Sequence, residues 1–335
     1  MLQLSIIIVN YNAGKFIADC INSALAFPSA NNFEWIIVDN SNNENDKNNL
    51  LKTFPFIKWI DMGYNAGFAR ANNAGIKQSQ GEIVLLLNPD TIIVDDCIDK
   101  CLQKFYVDAA IASSVQLINT DGSPQITGNY FMKGGLNHLL PLPYLGKFLR
   151  NIAFAFKAKK TNVLTAPSRQ KVDWINGAFL MVKKTAIEKA GLMDEDFFLY
   201  AEESEWCSRL MRVGDLVVYG ELKIIHLQGE VINIAANTSD KGYFYLYDKK
   251  GLQLIVSNYL RIRKQYGVGW YLFNLLLLLI EIPVFFICLF LHNIFSFRYP
   301  FNNWRFPLKY AANVFRLVKL SPLILFKKKY FYKIL

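Results

Sequence analysis

Ten consecutive residues constrain the fold of this chain most strongly: Gly81-Glu-Ile-Val-Leu-Leu-Leu-Asn-Pro-Asp90. The apolar run Ile83–Leu87 predicts a strand that is buried on both faces, as in a largely parallel sheet. Pro89 cannot continue a central strand, so the strand ends there and presents Asp90 at its carboxyl end. Ligands of open α/β sheets bind at that edge. Asp90 is therefore either a solvated turn residue or a ligand of a hard cation such as Mg²⁺ or Mn²⁺.

The preceding residues repeat a pattern of strand followed by helix. Strands are predicted over Leu4–Val9, Phe33–Val38 and Lys58–Ile60, and helices over residues 15–27 and from about 67 to 78. This alternation predicts right-handed βαβ units and a parallel sheet. The first strand ends at Tyr11 and the second at Asp39. Together with Asp90 they indicate a nucleotide site, in which Tyr11 stacks on a base and Asp39 accepts a hydrogen bond from a base N–H.

Several classes of protein are disfavoured. No GxGxxG follows the first strand, which argues against a nicotinamide or flavin enzyme, and no GxxxxGK[ST] loop indicates an ATPase. The five cysteines have neither metal-site spacing nor a paired framework, so a reducing, cytosolic setting is expected. The N-terminus runs straight into a strand, and no signal peptide is expected.

The second half of the first 240 residues is less regular. Residues 123–171 have no clear period and predict an insertion, with a short helix near 145–156, that is either a surface excursion or a loop closing over substrate. Residues 173–182 predict a strand, and an acidic helix begins at Glu202. A last short strand, residues 223–226, ends at His226, which is either a packing residue or a ligand.

The C-terminal residues differ in charge from the rest. Residues 1–240 contain 22 Lys/Arg and 25 Asp/Glu, whereas residues 241–335 contain 15 Lys/Arg and only two carboxylates. Lipid headgroups and nucleic acid are both candidate partners, and the apolar content favours an anionic membrane surface over nucleic acid. The segment Trp270–Leu291 is long enough to span a bilayer. Because basic residues flank both sides, and because Glu281 and Pro283 predict a break, we expect a re-entrant or interfacial helical pair. A true span and a soluble oligomer interface are the alternatives.

Six stretches, in this order, match one family. They are Ser5–Asn12, Val38–Ser41, Asn65–Gly75, Leu87–Asp90, Trp174–Ala178, and Phe197–Glu205 with Arg209. Over about residues 3–230 the sequence resembles the family 2 glycosyltransferases of the GT-A fold, especially their rhamnosyltransferase-like branch. The resemblance implies a GT-A domain over residues 1–240, a mostly parallel central sheet flanked by helices, with residues 241–335 as a C-terminal membrane-associated helical region.

For the donor, the resemblance implies a role at five positions. Val9, Tyr11 and Asp39 would hold the pyrimidine base of a nucleotide sugar. Asn65 and Arg70 would lie near the nucleotide, at the start of a helix whose free N–H groups favour anions. The donor would be dTDP-L-rhamnose or, alternatively, a UDP-hexose.

The resemblance also implies a metal site. Asn88-Pro-Asp90 corresponds to the family's DxD element, with Asn88 in place of the first acid. Asp90 remains as the acidic ligand that bridges through Mg²⁺ or Mn²⁺ to the donor diphosphate. His226 would be a further metal or diphosphate contact.

The reaction implied is inverting transfer of the sugar to an acceptor hydroxyl. Trp174, Gly177 and Glu202 would border the acceptor, and Glu203 would be the general base. The family usually has aspartate where this chain has Glu203, which is one methylene longer. A lipid-linked or oligosaccharide acceptor at the cytoplasmic face of a bacterial inner membrane is expected, in the synthesis of cell-surface polysaccharide. A nucleotidyltransferase and a catalytically inactive membrane scaffold are the alternatives.

Overall fold

The structure, a computed structural model, describes residues 3–155, 161–227 and 246–335. Its contacts divide the chain into two compact units. The first comprises Met1–Tyr130, Asn162–Phe198 and Glu202–Lys241; the second comprises Phe131–Thr161, Leu199–Ala201 and Gly242–Leu335. Most of the predicted insertion thus groups with the C-terminal residues. The domain boundary predicted after residue 240 lies outside the described residues.

Strands and helices alternate through most of the first unit. The strands are β1 (Leu4–Asn10), β2 (Glu34–Asp39), β3 (Lys58–Asp61), β4 (Ile83–Leu87), β5 (Thr91–Ile93), β6 (Ala112–Ile118), β7 (Gly128–Asn129), β8 (Asn162–Val163), β9 (Gln170–Val172), β10 (Trp174–Ile175), β11 (Phe179–Lys183) and β12 (Leu216–His226). The helices of both units are α1 (Gly14–Leu25), α2 (Glu44–Thr53), α3 (Gly67–Gln78), α4 (Cys97–Val107), α5 (Leu145–Ala155), α6 (Lys184–Ala190), α7 (Glu202–Leu210), α8 (Lys249–Tyr266), α9 (Val268–Phe295) and α10 (Arg305–Leu325), with 3₁₀ turns at Pro28–Asn32 and Lys133–Leu139.

The central sheet is mixed. Its strand order is β3-β2-β1-β4-β11-β6-β12-β5, and β9 pairs with β12 beyond this path; β10, β7 and β8 form a small separate sheet. Strands β1 to β4 run parallel to one another, whereas β11 runs antiparallel between β4 and β6. Because β12 is parallel to β6, it runs in the same direction as β4. The predicted α/β architecture is confirmed, and the carboxyl ends of β1, β2, β4 and β12 lie at one edge.

Strand β1 shows why a continuous apolar run is needed here. Ile6 and Ile8 belong to the core cluster that includes Ile17 of α1. Ile7 points to the other face, where a Cβ on Gly75 of α3 would lie 2.6 Å from its side chain. Helix α3 therefore packs directly on the strand. Both faces of β1 are buried, as the sequence predicts.

Three strand predictions need correction. The single strand predicted over residues 173–182 is two strands, β10 and β11, in different sheets, because a turn at Gly177 and Ala178 separates them. The last strand is longer than residues 223–226, since β12 begins at Leu216 and continues through an irregularity between Tyr219 and Lys223. Strand β6 was not predicted, because buried Ser and Gln residues interrupt its apolar pattern.

The second unit contains α5 and α8 to α10. Helix α9 continues through Glu281 and Pro283, so the break predicted there is wrong. The carboxylate of Glu281 is fully buried and accepts hydrogen bonds from the backbone N–H groups of Tyr144 and Leu145, each at 2.9 Å. It thereby satisfies free donors at the start of α5. Among the described residues α9 alone is long and apolar enough to cross a membrane, judged by length and composition.

Candidate functional site

The predicted donor residues lie at the carboxyl ends of neighbouring strands. In the β1–β2 pair, Val9 is opposite Val38 and Asn10 is opposite Asp39. Tyr11 directly follows β1 and is partly exposed. Strand β4 lies on the other side of β1 and is followed by the Asn-Pro-Asp turn. The structure therefore brings the predicted base-binding residues and the predicted metal ligand to the same edge of the sheet.

Asp39 organises the loop after β2. Its side chain is 1% exposed. Oδ1 accepts hydrogen bonds from Asn10 Nδ2 at 2.8 Å and from Ser41 Oγ and N at 2.6 and 3.1 Å. Oδ2 accepts one from Asn42 N at 2.9 Å. A carboxylate has about four acceptor positions, so the predicted contact with a base N–H would use the second position on Oδ2.

The loop before α3 is fixed from two sides. Asn40 donates through Nδ2 to Gly67 O at 3.0 Å and accepts from Ala66 N at 3.3 Å. On the other side, Phe68 N donates to Phe198 O at 2.9 Å. Gly67 has φ +74°. A Cβ there would lie 2.3 Å from Phe198 O, so only glycine permits this close approach.

Arg70 and Asn65 contribute to the same region. Arg70 Nε donates to Glu195 O at 3.0 Å, which ties α3 to the segment before α7. Asn65 Oδ1 accepts from Gly67 N at 3.2 Å, at the first residue of the helix. These bonds give both side chains a structural role. Their predicted contacts with a nucleotide remain predictions.

Asp90 and His226 meet in the interior. Asp90 Oδ1 lies 3.5 Å from His226 Nε2, and the two side chains are 4% and 3% exposed. Asn88 Nδ2 is also 3.5 Å from His226 Nε2. Strand pairing brings Asp90 and His226 together. Leu227 N donates to Asp90 O at 2.9 Å, and His226 of β12 pairs with Thr91 of β5. The three residues that the sequence assigned to metal and diphosphate therefore form one cluster.

Gln125 fixes which nitrogen of His226 faces this cluster. Its Nε2 donates to the His226 carbonyl oxygen at 2.7 Å, and a carbonyl oxygen can only accept. The amide is thereby oriented with Oε1 toward His226 Nδ1, at 2.9 Å. Nδ1 must then carry the proton, and in the neutral imidazole the lone pair of Nε2 points toward Asp90. Gln125 was not predicted to be functional, since it lies in the aperiodic stretch after Ser123.

The donor set fits a divalent cation. Within the described ranges, no group of three or more His, Cys, Asp and Glu residues is arranged to hold a metal. Asp90 and His226 offer one carboxylate and one imidazole lone pair, with the second ring nitrogen held by Gln125 as is usual for a histidine ligand. Two protein ligands suit an ion whose remaining positions are filled by water and phosphate oxygens.

Helix α7 carries the acidic residues. Glu202 and Glu205 are buried, whereas Glu203 is partly exposed. Glu205 accepts hydrogen bonds from Arg209 Nε at 2.9 and 3.1 Å and from Nη2 at 2.8 Å, and is therefore committed to an ion pair. Tyr200, two residues before the helix, has φ +71°, which is strained for a non-glycine residue.

Glu203 lies beside the predicted acceptor residues. A Cβ on Gly177 would be 3.8 Å from Glu203 Cγ and 3.6 Å from the Phe68 ring, so the glycine leaves a space at this point. Helix α7 also packs on β10, which contains Trp174. The indole N–H of Trp174 has no hydrogen-bond partner in the described part of the chain. Ala178 O accepts from Asn88 N at 3.0 Å, which joins this group to the Asp90 cluster across the β4–β11 pair.

Comparison with known proteins agrees with this arrangement. Residues 5–163 match the family model described as Glycosyl transferase family 2. The low-salt glycan biosynthesis hexosyltransferase Agl10 of Haloferax volcanii is 29% identical over 63% of this chain and 62% of its own length. The dTDP-rhamnosyl transferase RfbF of Shigella flexneri is 25% identical over 67% and 72%. An N-acetylglucosaminyl-diphospho-decaprenol L-rhamnosyltransferase of Mycobacterium tuberculosis is 24% identical over 64% and 73%.

Two solved structures share the fold. The mannosyltransferase PcManGT from Pyrobaculum calidifontis, in complex with GDP-Man and Mn²⁺, superposes with a TM-score of 0.51 at 12% identity, over 97% of this chain and 88% of that one. GalNAc-T7, with UDP, GalNAc and Mn²⁺, gives 0.51 at 15% identity, over 81% and 56%. The chain thus spans less than two thirds of Agl10 and of GalNAc-T7. These likenesses show the predicted GT-A fold.

Proposed function

Because this chain contains a glycosyltransferase domain of family 2, in the rhamnosyltransferase-like branch, we propose that it transfers a hexose from a nucleoside diphosphate sugar to a lipid-linked or oligosaccharide acceptor. The observation that carries the proposal is the Asp90–His226 pair at the end of β4. Glu203 lies beside Gly177, which is in the turn before β11, and β11 pairs with β4. The donor diphosphate and the acceptor hydroxyl would meet between these two groups.

The donor proposed is dTDP-L-rhamnose. Two of the relatives are named as rhamnosyltransferases, and the name of one of them is dTDP-rhamnosyl transferase. The competing donor is a UDP-hexose, which the hexosyltransferase relative keeps open. In either case Val9, Tyr11 and Asp39 would hold the pyrimidine. Asn65 and Arg70 would approach the diphosphate near the first turn of α3, where backbone N–H groups favour anions.

Asp90 and His226 would hold the divalent ion, with Asn88 beside them. When bound, Mg²⁺ or Mn²⁺ neutralises the charge that develops on the departing nucleoside diphosphate. The mixture of a carboxylate and an imidazole favours Mn²⁺ over Mg²⁺, because Mg²⁺ prefers oxygen ligands. Gln125 keeps the proton on the far ring nitrogen, so that His226 presents a lone pair without having to change tautomer.

Glu203 would act as the general base of a single displacement with inversion. Its carboxylate takes the proton from the acceptor hydroxyl while that oxygen attacks the anomeric carbon. Trp174, Gly177 and Glu202 would border the acceptor. Gly177 leaves space for a group of about methyl size next to Glu203 Cγ, and the acceptor hydroxyl would approach there. Glu205 is a weaker candidate for the base, since Arg209 already holds its carboxylate.

A relative and the second unit support the acceptor and the location that we propose. The mycobacterial relative is named for a substrate linked to decaprenol. Helix α9 and the basic C-terminal residues support binding to an anionic membrane surface, at the cytoplasmic face of a bacterial inner membrane. We propose a role in the synthesis of cell-surface polysaccharide such as O-antigen, with no nucleic-acid partner.

A donor panel tests the proposal. Full-length protein in detergent is incubated with Mn²⁺, a polyprenyl diphosphate sugar acceptor, and dTDP-L-rhamnose or UDP-hexoses, and transfer is measured. Glu203→Gln should keep donor affinity and reduce turnover by about a hundredfold or more, as expected for loss of a general base. Glu188→Gln, an exposed carboxylate on α6, is the control and should transfer normally. Nucleotide binding without any transfer would favour an inactive scaffold, and full turnover by Glu203→Gln would exclude that residue as the base.

A further inference from the structure

Helix α9 exposes an apolar face along its whole length. Six of its residues, between 40% and 58% exposed, recur at intervals of three, four or seven positions: Leu272, Leu276, Ile280, Ile287, Leu291 and Ile294. This spacing places them on one side of the helix. At 1.5 Å per residue the face is about 33 Å long. Exposed apolar patches of this extent mark surfaces that bind a protein or a membrane.

Helix α10 lies antiparallel along α9. Tyr271 Oη and Ser321 Oγ are 2.6 Å apart near one end. Tyr310 Oη donates to Leu278 O at 3.1 Å near the middle. The rings of Phe286 and Trp304 are 5.2 Å apart nearer the other end. Each residue of α10 therefore has a fixed position along α9, and the two helices must take the same orientation in a membrane.

The exposed side of α10 combines cations with apolar residues. Lys309, Arg316 and Lys319 are exposed, next to Leu308 and Phe315, which are 58% and 55% exposed. None of the three cations forms an ion pair within the described ranges. A helix with this mixture of residues is typical of the interface between headgroups and acyl chains.

Carboxylates are almost absent from the second unit. Its residues include 20 Lys and Arg but only two acidic side chains, Asp248 and Glu281. Asp248 caps α8 by accepting from Gly251 N, and Glu281 accepts from the N–H groups that begin α5. The surface around α10 is therefore strongly positive. A second copy of the chain is a poor partner for it, because two such surfaces repel each other.

A crossing orientation conflicts with these cations. If α9 spanned a bilayer, Lys309 would lie at the depth of Leu278, close to the middle of α9, since the adjacent Tyr310 bonds there. Arg316 would follow within the hydrocarbon region. Exposed charges at that depth are costly and rare. In a helix pair that lies flat, each cation reaches the headgroups instead.

We infer that α9 and α10 form an antiparallel pair that lies in the plane of an anionic lipid surface, with the apolar face of α9 among the acyl chains and the cations of α10 at the headgroups. The inference deepens the membrane association proposed above, since it specifies the lipid surface and the orientation. The expected helix break is absent, and an unbroken 28-residue helix can lie along the surface without turning.

Depth-dependent fluorescence quenching distinguishes a helix pair that lies in the plane of the membrane from one that spans it. Single cysteines replace Leu272, Ile280 and Ile294 in full-length protein that carries Cys288→Ser, and each is labelled with an environment-sensitive fluorophore. The protein is bound to phosphatidylglycerol–phosphatidylethanolamine vesicles that contain a shallow or a deep spin-labelled lipid. The inference predicts the same, predominantly shallow quenching at all three sites. Deeper quenching at Ile280 than at both ends would show a spanning helix, and absence of quenching would show a protein interface; either result overturns the inference.

Charge reversal provides a second test. The double variant Lys309→Glu/Lys319→Glu should bind vesicles containing 30% phosphatidylglycerol with an affinity lower by about 25-fold or more, measured by flotation. Each cation contributes about fivefold to the affinity at such a surface. Lys52→Glu/Lys189→Glu makes the same charge change at exposed positions of the first unit and should bind as the wild type does. Equal binding by both double variants would contradict the inference.

The two proposals can fail separately. Mn²⁺-dependent binding of dTDP or UDP is measured in detergent for every variant, without vesicles. If nucleotide binding persists while the depth profile is that of a spanning helix, the orientation is wrong and the transferase assignment stands. If the depth profile is uniform but no nucleotide binds, the orientation stands and the proposed function fails.

Discussion

At the scale of single residues, the amide of Gln125 decides what His226 can do. The same amide holds the backbone carbonyl and the ring Nδ1 of His226, so neither can rotate independently. A second bond from Gln125 Nε2 to Asn119 Oδ1, at 2.7 Å, keeps the amide in place. His226 therefore presents Nε2 toward Asp90 before any ligand arrives, and little reorganisation is needed on binding.

Replacing Gln125 should weaken metal binding at the proposed site without removing a proposed ligand. We expect Gln125→Leu to reduce Mn²⁺ affinity in the presence of dTDP by about 10–100-fold, the usual effect of losing the partner of a metal-binding histidine. Mn²⁺ affinity is measured by electron paramagnetic resonance of the free ion, and folding by the melting temperature.

Gln125→Glu is the matched variant, because it retains an oxygen that accepts from Nδ1. Its Mn²⁺ affinity should lie closer to that of the wild type than that of Gln125→Leu. Equal affinities for wild type and Gln125→Leu, both folded, would show that His226 needs no such orientation.

The sequence identifies some residues of the candidate site and not others. Asp39, Asp90 and His226 are recognisable because each ends a predicted strand. Gln125 is not, because its partner is 101 positions away and no local period marks it. The ion pair between Glu205 and Arg209 agrees with their spacing of four positions on one helix face.

At the scale of elements, the start of α3 depends on Gly67. Gly67→Ala would place a methyl group 2.3 Å from Phe198 O in addition to the strain of φ +74°. We expect a loss of about 2–4 kcal/mol in the free energy of unfolding, together with weaker dTDP binding as the helix moves away from the Phe198 segment. Urea denaturation and nucleotide titration measure the two effects.

Gly63→Ala is the control for this prediction. Gly63 has the same φ of +74°, but nothing lies within 4 Å of its Cβ position. Only the backbone strain remains, about 1–2 kcal/mol. Similar losses for the two variants would mean that the contact with Phe198 is unimportant.

Asp108 joins separate elements of the sheet through charged hydrogen bonds. Its carboxylate accepts from Arg169 Nε and Nη2 at 2.7 and 3.0 Å, from Tyr219 Oη on β12 at 2.9 Å, and from Ala110 N at 2.8 Å. The Arg169 guanidinium holds the pKa of the Asp108 carboxyl well below its usual value. Such a group stabilises the fold above the unfolded pKa, about 3.9, and this contribution is lost as the pH falls below it.

We therefore expect Asp108→Asn to lower the free energy of unfolding at pH 7 by about 1–3 kcal/mol, the range for hydrogen bonds to a charged group. The difference from wild type should shrink as the pH falls from about 4 toward 2. Asp19→Asn, which removes only an exposed pair with Lys15, should have little effect. A difference that is independent of pH would contradict the assigned pKa shift.

Local pattern predicts some elements and fails for others. β1, β2 and β4 are readable as apolar runs. β6 is not, because the polar residue Gln116 interrupts its apolar pattern. Gln116 is nevertheless buried, since its side chain donates to Thr127 Oγ1 and to the Gln125 and Leu164 carbonyls. Helix α9 is continuous because Glu281 has backbone partners around Tyr144, which no inspection of residues 270–291 could reveal.

At the scale of the whole molecule, the chain combines a sheet edge that gathers the predicted site residues with a basic, apolar helical unit. The sequence predicts the division in composition between these parts. It does not predict that residues 131–161 group with the C-terminal helices, since that grouping depends on contacts more than 100 positions apart, such as Asn274 Nδ2 to Gly134 O. The proposed transfer needs the first unit for chemistry and the second for access to a lipid-linked acceptor.

The central claim is that the edge formed by β1, β2, β4 and β12 binds a nucleotide diphosphate through a divalent ion. Calorimetric titration of dTDP into full-length protein, with Mn²⁺ or with a chelator, tests it most directly, using Asp121→Asn as a control on an exposed loop. Wild type and Asp121→Asn should bind dTDP at least tenfold more tightly with Mn²⁺, and Asp90→Asn should lose this difference. Equal dTDP affinity with Mn²⁺ and with chelator in the wild type, or an undiminished Mn²⁺ effect in Asp90→Asn, would contradict the account.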